Sequence, residues 1–192
     1  MIKRFILILC FFLFLSNTAG ADIDVYFLDV GQGDSAIIVC DGEAMIIDGG
    51  PVNKSSYVYS YIKNTLQLER INLMVATHPH DDHIGGLSAV LNAVPVDLIL
   101  SPVTESSSIP FSFLVKYADA QGTPIIVPFD GDVYQLGGAT ITILLCYPEA
   151  WEENDRSIDI LRPESCFIEC VLNGLNRSIN YRRTDIKEIV KA

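Results

Sequence analysis

Short runs rich in β-branched and aromatic residues predict a sheet in the first half of the chain. Three of these runs, at residues 23–30, 35–40 and 44–48, are separated only by the turn sequences GQGD and DGE. Two tight connections in succession predict an antiparallel meander of three strands. The apolar run at 72–77 predicts a strand buried on both faces, and 96–101 predicts the strand after it.

The segments between and after these strands indicate helices. Residues 55–68 place apolar side chains at helical spacing, and further helices are predicted at 84–93 and at 111–122, where Gly122 ends the last one. Three more strands are predicted, at residues 124–128, 132–136 and 139–146. The order of these elements predicts a layered α/β protein with sheet inside and helices outside.

The first 21 residues are typical of a secretory signal peptide. Lys3 and Arg4 precede an unbroken apolar run at 5–15, and Ala19 and Ala21 are spaced like a signal-peptidase site. A membrane anchor is the alternative, but this run is well short of the roughly 20 residues that span a bilayer. We therefore expect cleavage after Ala21, a secreted or periplasmic protein, and no membrane association after cleavage.

The charge balance is strongly acidic. The chain has 13 basic and 24 acidic side chains, a formal charge of −11, and losing Lys3 and Arg4 would leave 11 basic side chains and a charge of −13. Such a protein repels polyanions at long range. We expect no strong affinity for nucleic acid unless a bound metal or a local basic patch supplies it.

Four cysteines follow the predicted signal peptide, namely Cys40, Cys146, Cys166 and Cys170. An even number of cysteines in an exported protein permits disulfides, but four cysteines allow three pairings. The sequence leaves open whether they form a disulfide or remain thiols.

All three histidines lie within the ten residues THPHDDHIGG, at 77–86. His78 and His80 are two residues apart, so on an extended segment leaving a strand their imidazoles point to the same side. Asp82 and His83 follow in a turn towards the next helix. A single histidine is usually a surface or core residue, but three at this spacing are not explained in that way. Because imidazole nitrogen and carboxylate oxygen are suitable zinc donors, we expect one or two Zn²⁺ ions here, with Mn²⁺ as an alternative.

Several stretches of the chain together resemble one family. THPHDDHIGG is similar to the first metal motif of the metallo-β-lactamase superfamily. Three further stretches resemble, in order, the metallo-β-lactamase-like domain of ComEC-type DNA-uptake competence proteins: LDVGQGDSAII (28–38), MIIDGG (45–50) and DGDVYQLGGATITILLCYP (130–148). NDRS (154–157) resembles another step of that group. We expect an incomplete domain of this kind at 22–158 and a divergent tail at 159–192.

The resemblance implies an αββα sandwich with a metal site at one edge of its sheets. By the family's pattern, His78 and His80 match ligands of a first metal, and Asp82 and His83 match ligands of a second. Asp48 matches an aspartate that supports the site from behind its ligands; the alternative is a simple turn acid at the end of a strand. The implied mechanism is metal-assisted hydrolysis, in which Asp82 is the catalytic residue that orients the attacking water and carries a proton to the leaving group.

The same family completes its site with residues further along the chain. It needs a third histidine for the first metal, an aspartate after a glycine, and a final histidine, but no histidine follows His83. We therefore expect only the N-terminal half to two-thirds of the sandwich, from a truncated or frame-shifted gene product. We also expect an apolar face of the first sheet and an open strand edge to be exposed.

Three hypotheses for function follow. The first is an exported metal-dependent hydrolase of phosphodiesters or nucleic acid, which is inactive if the missing ligands are essential. The second is a small-molecule hydrolase of the same superfamily, acting on a β-lactam, lactone or thioester, which the negative charge favours. The third is a non-catalytic metal-binding or vestigial protein, which the missing ligands favour.

Overall fold

A computed structural model describes residues 22–144, 169–173 and 180–183 of the chain. The signal peptide predicted at 1–21 lies outside the described residues. The helices are α1 (Ser55–Ser60, continued by a π-helical turn over Tyr61–Thr65), α2 (Asp81–Ile84), α3 (Leu87–Ala93) and α4 (Ile109–Gln121). The strands are β1 (Ile23–Phe27), β2 (Ala36–Cys40), β3 (Glu43–Ile47), β4 (Ile71–Val75), β5 (Val96–Leu100), β6 (Ile125–Ile126), β7 (Val133–Leu136), β8 (Ala139–Leu144), β9 (Glu169–Asn173) and β10 (Asn180–Arg183).

Seven of these strands form the main sheet, in the order β10-β1-β2-β3-β4-β5-β6. β1, β2 and β3 pair antiparallel through two short connections, which confirms the predicted meander. β3, β4, β5 and β6 run parallel, because helices carry the chain back along the sheet between them. The carboxyl ends of β3 and β4 therefore lie side by side at the same end of the sheet.

Neighbouring residues of each central strand pack on opposite faces of the main sheet. Ile37 and Ile46 face the helices, whereas Ile38 and Met45 beside them face the second sheet. These strands are apolar on both faces because both faces are covered. The helices contribute the following buried side chains to the core: Val58, Ile62, Ile84, Leu87, Val90, Leu91, Phe111, Leu114 and Ala118.

A second sheet, in the order β7-β8-β9, covers the other face of the main sheet. β7 and β8 form the predicted hairpin. Leu136, Ala139, Ile141 and Ile143 are buried against the main sheet. The expectation that this face would be exposed is wrong, because β7 and β8 themselves supply the apolar layer. The described residues form helices, sheet and sheet, in the order that the predicted αββα sandwich requires.

Two predicted helices differ in extent from the observed ones. The helix predicted at 55–68 ends at Thr65, and its last turn is π-helical. The helix predicted at 84–93 begins at Leu87, because Gly85–Gly86 separates it from α2. The predicted glycine end of α4 is confirmed, since Gly122 has the left-handed conformation (φ +72°) that favours glycine. Of the helices described, none has both the length and the apolar character needed to cross a membrane.

The two edges of the main sheet also differ from expectation. At one edge, the strand predicted at 124–128 is reduced to β6, since Pro124 and Pro128 flank it and proline donates no backbone hydrogen bond. On the other side of the sheet, β10 pairs parallel with β1, so the edge strand there is β10, which was not predicted. β9 pairs with β8 in the second sheet. Two strands from the predicted divergent tail therefore extend the two sheets.

One of the four cysteines after the predicted signal peptide has a described side chain. Cys40, on β2, is a buried free thiol, and its pKa is raised chiefly by burial. The side chains of Cys146, Cys166 and Cys170 lie outside the described residues, so for them both alternatives, a disulfide or thiols, stay as the sequence leaves them.

Truncating a buried side chain of β8 tests whether the second sheet stabilises the main one. We expect Ile141→Ala to lower the free energy of unfolding by about 2–4 kcal/mol, because it leaves a cavity beside the main sheet. Val133→Ala removes a side chain that is 57% exposed, and its effect should be about 0.5 kcal/mol or less. Urea denaturation measures both losses. Equal, small losses would show that Ile141 does not pack against the main sheet.

Candidate metal centre

The parallel pairing of β3 and β4 brings the candidate residues together. Ile47 pairs with Val75 at the ends of these strands, so the residues that follow each strand lie side by side. Asp48 follows β3 directly, and Thr77 and the histidine motif follow β4. Asp48 and Thr77, which are 29 residues apart in sequence, are therefore in contact.

The Asp48 carboxylate makes most of the side-chain contacts where β3 and β4 end, although its side chain is only 1% exposed. Its Oδ1 accepts the backbone N–H of Thr77 at 2.9 Å. Its Oδ2 accepts the Thr77 hydroxyl at 2.5 Å and contacts Nδ1 of His83 at 2.8 Å. The backbone of Asp48 is left-handed (φ +54°), which aspartate adopts more readily than most residues. These contacts satisfy an anion whose burial would otherwise be costly.

The two inner histidines have opposite pKa shifts. His78 is buried, and this burial, followed by the positive charge of its two histidine neighbours, lowers its pKa to about 3. Burial also acts to lower the pKa of His83, but the hydrogen bond and charge of Asp48, with the charges of Asp82 and Asp34, outweigh it and raise the pKa. His78 is therefore a neutral imidazole at neutral pH, which is the form that binds metals.

The four predicted ligands lie in one cluster with Asp48. The ring centre of His78 is 3.9 Å from that of His83 and 4.8 Å from that of His80. Nε2 of His83 is 3.9 Å from Oδ2 of Asp82. His80 is exposed, so the cluster runs from the buried ring of His78 to the protein surface.

The cluster has the donor chemistry of a divalent metal site without a complete set of donors in place. Across residues 22–144 and the two short segments after them, no group of three His, Cys, Asp or Glu side chains could hold an ion as positioned. Because Asp48 engages Nδ1 of His83, a cation would bind at Nε2, and a carboxylate behind a metal-binding imidazole commonly fixes its orientation. The imidazoles and the Asp82 carboxylate therefore fit zinc or manganese in type.

The GQGD turn after β1 contacts the histidine motif. Gln32 Nε2 donates to Oδ2 of Asp82 at 3.3 Å, and Oδ2 of Asp34 lies 3.8 Å from Nδ1 of His83. Gly33 packs so closely that an added Cβ would lie 1.6 Å from the carbonyl oxygen of Asp82. The turn therefore packs directly against the motif at Asp82 and His83.

Sequence reasoning gave no role to Thr77 or Gln32. Gly31, Gly33 and Asp34 indicate a turn beneath the site, since glycine often marks a close approach of two backbones, but they do not single out the Gln32 side chain. The role of Thr77 had no such signal, because it depends on a contact with Asp48 that only the parallel strand pairing creates.

Comparison with known proteins identifies the family. The family model described as the metallo-beta-lactamase superfamily matches residues 28–153, which is more than half of the chain and includes Asp48 and the whole histidine motif. This chain belongs to the metallo-beta-lactamase superfamily. A curated relative, Recombination protein 2 of Haemophilus influenzae, is 34% identical over 101 residues, which are 50% of this chain and 13% of that protein. The chain therefore spans only a small part of this relative's length.

Solved structures also match parts of the chain. A flavo-di-iron protein variant from Thermotoga maritima matches with a TM-score of 0.51 and 17% identity, over 74% of this chain and 31% of that chain. A metallo-beta-lactamase from Pontibacter korlensis is 23% identical with a TM-score of 0.40, over 59% of this chain and 48% of that chain. The first of these likenesses supports the sandwich fold and nothing about activity.

A methyl group added at Gly33 tests the contact between the GQGD turn and the motif. Gly33→Ala should displace the backbone at Asp82 and weaken zinc binding by at least about tenfold. Gly42→Ala is the matched control, because Gly42 shares the left-handed backbone (φ +87°) but has no atom within 4 Å of an added Cβ. Both variants should lose about 1 kcal/mol of stability from this backbone conformation alone. Competition titration with a chromophoric chelator measures zinc affinity, and equal affinities in the two variants would contradict the contact.

Removing the charge of Asp48 tests its hold on His83 in metal-free protein. Asp48→Asn should lower the His83 pKa and cost about 3–5 kcal/mol of unfolding free energy near pH 6, because a buried pair is broken. The His83 contribution is fully present below the ordinary pKa of 6.5 and is lost as pH rises through the raised pKa. The difference from the unaltered protein should therefore shrink between pH 6 and pH 9, as measured by urea denaturation with a chelator present.

Asp34→Asn is the control for this experiment. Its carboxylate lies near the same nitrogen of His83, but its side chain is 80% exposed. Solvent screening should leave only a small effect on stability. If Asp34→Asn lowered the free energy of unfolding as much as Asp48→Asn, burial of Asp48 would not be the cause of the effect.

Proposed function

We propose that this chain is an exported, metal-dependent phosphodiesterase domain whose substrate class is nucleic acid. The observation that carries the proposal is the cluster of His78, His80, Asp82 and His83 at the carboxyl end of β4, with buried Asp48 bonded to His83. Membership of a superfamily of hydrolase type supports the reaction class. Export rests on the signal peptide predicted at the N-terminus.

The roles of the residues follow from their places in the cluster. His78 and His80 would hold one cation, and Asp82 and His83 would hold a second. A divalent cation bound there would supply Lewis-acid activation of water and of the scissile phosphate. Asp82, whose side chain is 32% exposed, can orient the attacking water and pass its proton to the leaving group. Asp48 keeps the His83 ring in a single orientation.

The substrate class rests on similarity and is limited by charge. The curated relative is named for recombination, a process that acts on nucleic acid, and it matches half of this chain. The formal charge of −11 opposes long-range attraction of a polyanion. Contact with a phosphodiester would therefore depend on bound cations at the cluster rather than on the protein surface.

A non-catalytic metal-binding protein is the second candidate, and one observation favours it. The described part of the chain brings no three His, Cys, Asp or Glu donors into position around one ion. Two donors per ion leave binding weak and poorly selective, and water would have to complete the coordination.

Hydrolysis assays with the purified chain separate these candidates. With zinc or manganese added, we expect cleavage of a generic phosphodiester and of single-stranded DNA. His80→Ala should lower the rate by about 100-fold or more, because loss of a donor impairs metal binding. Asn92→Ala, at an exposed position of α3, should leave the rate unchanged.

Two results would count against the proposal. Cleavage of nitrocefin without cleavage of the phosphodiester would indicate a small-molecule hydrolase. Equal inactivity of the unaltered chain and of His80→Ala would favour the non-catalytic candidate. Metal content per purified chain provides an independent measure, since tightly held zinc is expected only if the cluster forms a working site.

A further inference from the structure

We propose that Thr77 is a positioning residue that fixes which ring nitrogen of His78 carries the proton and so presents the other nitrogen to a cation. The inference rests on the proposed metal site but concerns a residue outside its ligand set. Thr77 lies between the Asp48 carboxylate and the His78 ring, and its hydroxyl contacts both.

The Thr77 hydroxyl has a single proton, and this allows only one arrangement of hydrogen bonds with its two neighbours. An ionised carboxylate accepts hydrogen bonds but donates none, so the only hydroxyl proton of Thr77 goes to Oδ2 of Asp48, 2.5 Å away. The Thr77 oxygen then offers only lone pairs to its other neighbour, Nδ1 of His78, at 3.1 Å. Nδ1 must therefore carry the proton, and Nε2 of the neutral ring is unprotonated.

The same carboxylate directly fixes which ring nitrogen of His83 carries a proton. Nδ1 of His83 lies 2.8 Å from Oδ2 of Asp48, which can only accept, so Nδ1 carries a proton there as well. Asp48 thus places a proton on Nδ1 of two rings, in His83 by direct contact and in His78 through Thr77. In His83 the Nδ1 atom contacts the carboxylate and in His78 it contacts the Thr77 hydroxyl, and in both rings Nε2 lies on the opposite edge of the ring.

Burial and a backbone hydrogen bond stabilise the contacts from Asp48 through Thr77 to His78. The backbone N–H of Thr77 donates to Oδ1 of Asp48 at 2.9 Å, so Thr77 is held to one carboxylate at two points. Asp48 and His78 are 1% and 4% exposed, so water has little access to compete for Nδ1. Neutral histidine in water favours the opposite tautomer, with the proton on Nε2, so these contacts have to impose the arrangement.

The test is the tautomer of His78 in metal-free full-length chain at pH 8. Nitrogen-15 labelling of the three histidines and long-range proton–nitrogen spectra report which ring nitrogen is protonated, and His80→Gln and His83→Gln assign the signals. We expect Nδ1–H in the unaltered protein, a shift towards Nε2–H in Thr77→Val, and retention of Nδ1–H in Thr77→Ser. Zinc affinity should fall by about 10–100-fold in Thr77→Val and stay close to the original in Thr77→Ser.

The outcomes that overturn the inference are distinct. An Nε2–H tautomer in the unaltered protein overturns it without any variant, which keeps the test valid if Thr77→Val does not fold. An unchanged tautomer in Thr77→Val, or a lost one in Thr77→Ser, also overturns it, because the hydroxyl would then not be responsible. If the unaltered chain binds no zinc, the proposed metal site fails, whereas the tautomer measurement still decides the role of Thr77.

Discussion

A buried negative charge at the end of β3 is the constraint on which the candidate site depends. An aspartate that is 1% exposed requires donors close by, because water cannot solvate it. Asp48 finds them in the backbone and hydroxyl of Thr77 and in the ring of His83. These donors belong to the end of β4 and to α2, so satisfying one carboxylate fixes the relative positions of three chain segments. The histidine rings are oriented as a consequence.

Close backbone contacts made possible by glycine reinforce this arrangement. An added Cβ on Gly86 would lie 2.1 Å from the carbonyl oxygen of Gly49, and one on Gly33 would lie 1.6 Å from that of Asp82. The loop after β3 also bonds to the motif, since Gly49 N–H donates to the carbonyl of His83 at 2.6 Å. Three loops therefore meet in direct backbone contact, and the candidate ligands stand on a closely packed base, which favours a metal site.

The fold defines where chemistry can occur, and the side chains at that place define what it can be. Many members of a superfamily share one architecture and differ in reaction, so superfamily membership supports hydrolysis and leaves the substrate to the site itself. The site combines suitable donor types with an acidic protein, so the attraction of the proposed phosphodiester substrate would depend on bound cations. The incomplete donor set of the described residues makes metal affinity the property that decides between catalysis and mere binding.

The sequence by itself determined the features that short stretches encode. The meander of β1 to β3, the β7–β8 hairpin, the glycine end of α4 and the clustering of the histidines follow from local periodicity, turn residues and spacing. The cover over the second face of the main sheet was missed, because the same alternating pattern does not say which surface a hairpin packs against. The link from Asp48 through Thr77 to His78 was also decided only by tertiary structure. It joins residues far apart in the chain, and only the parallel pairing of β3 with β4 places their side chains within hydrogen-bonding distance.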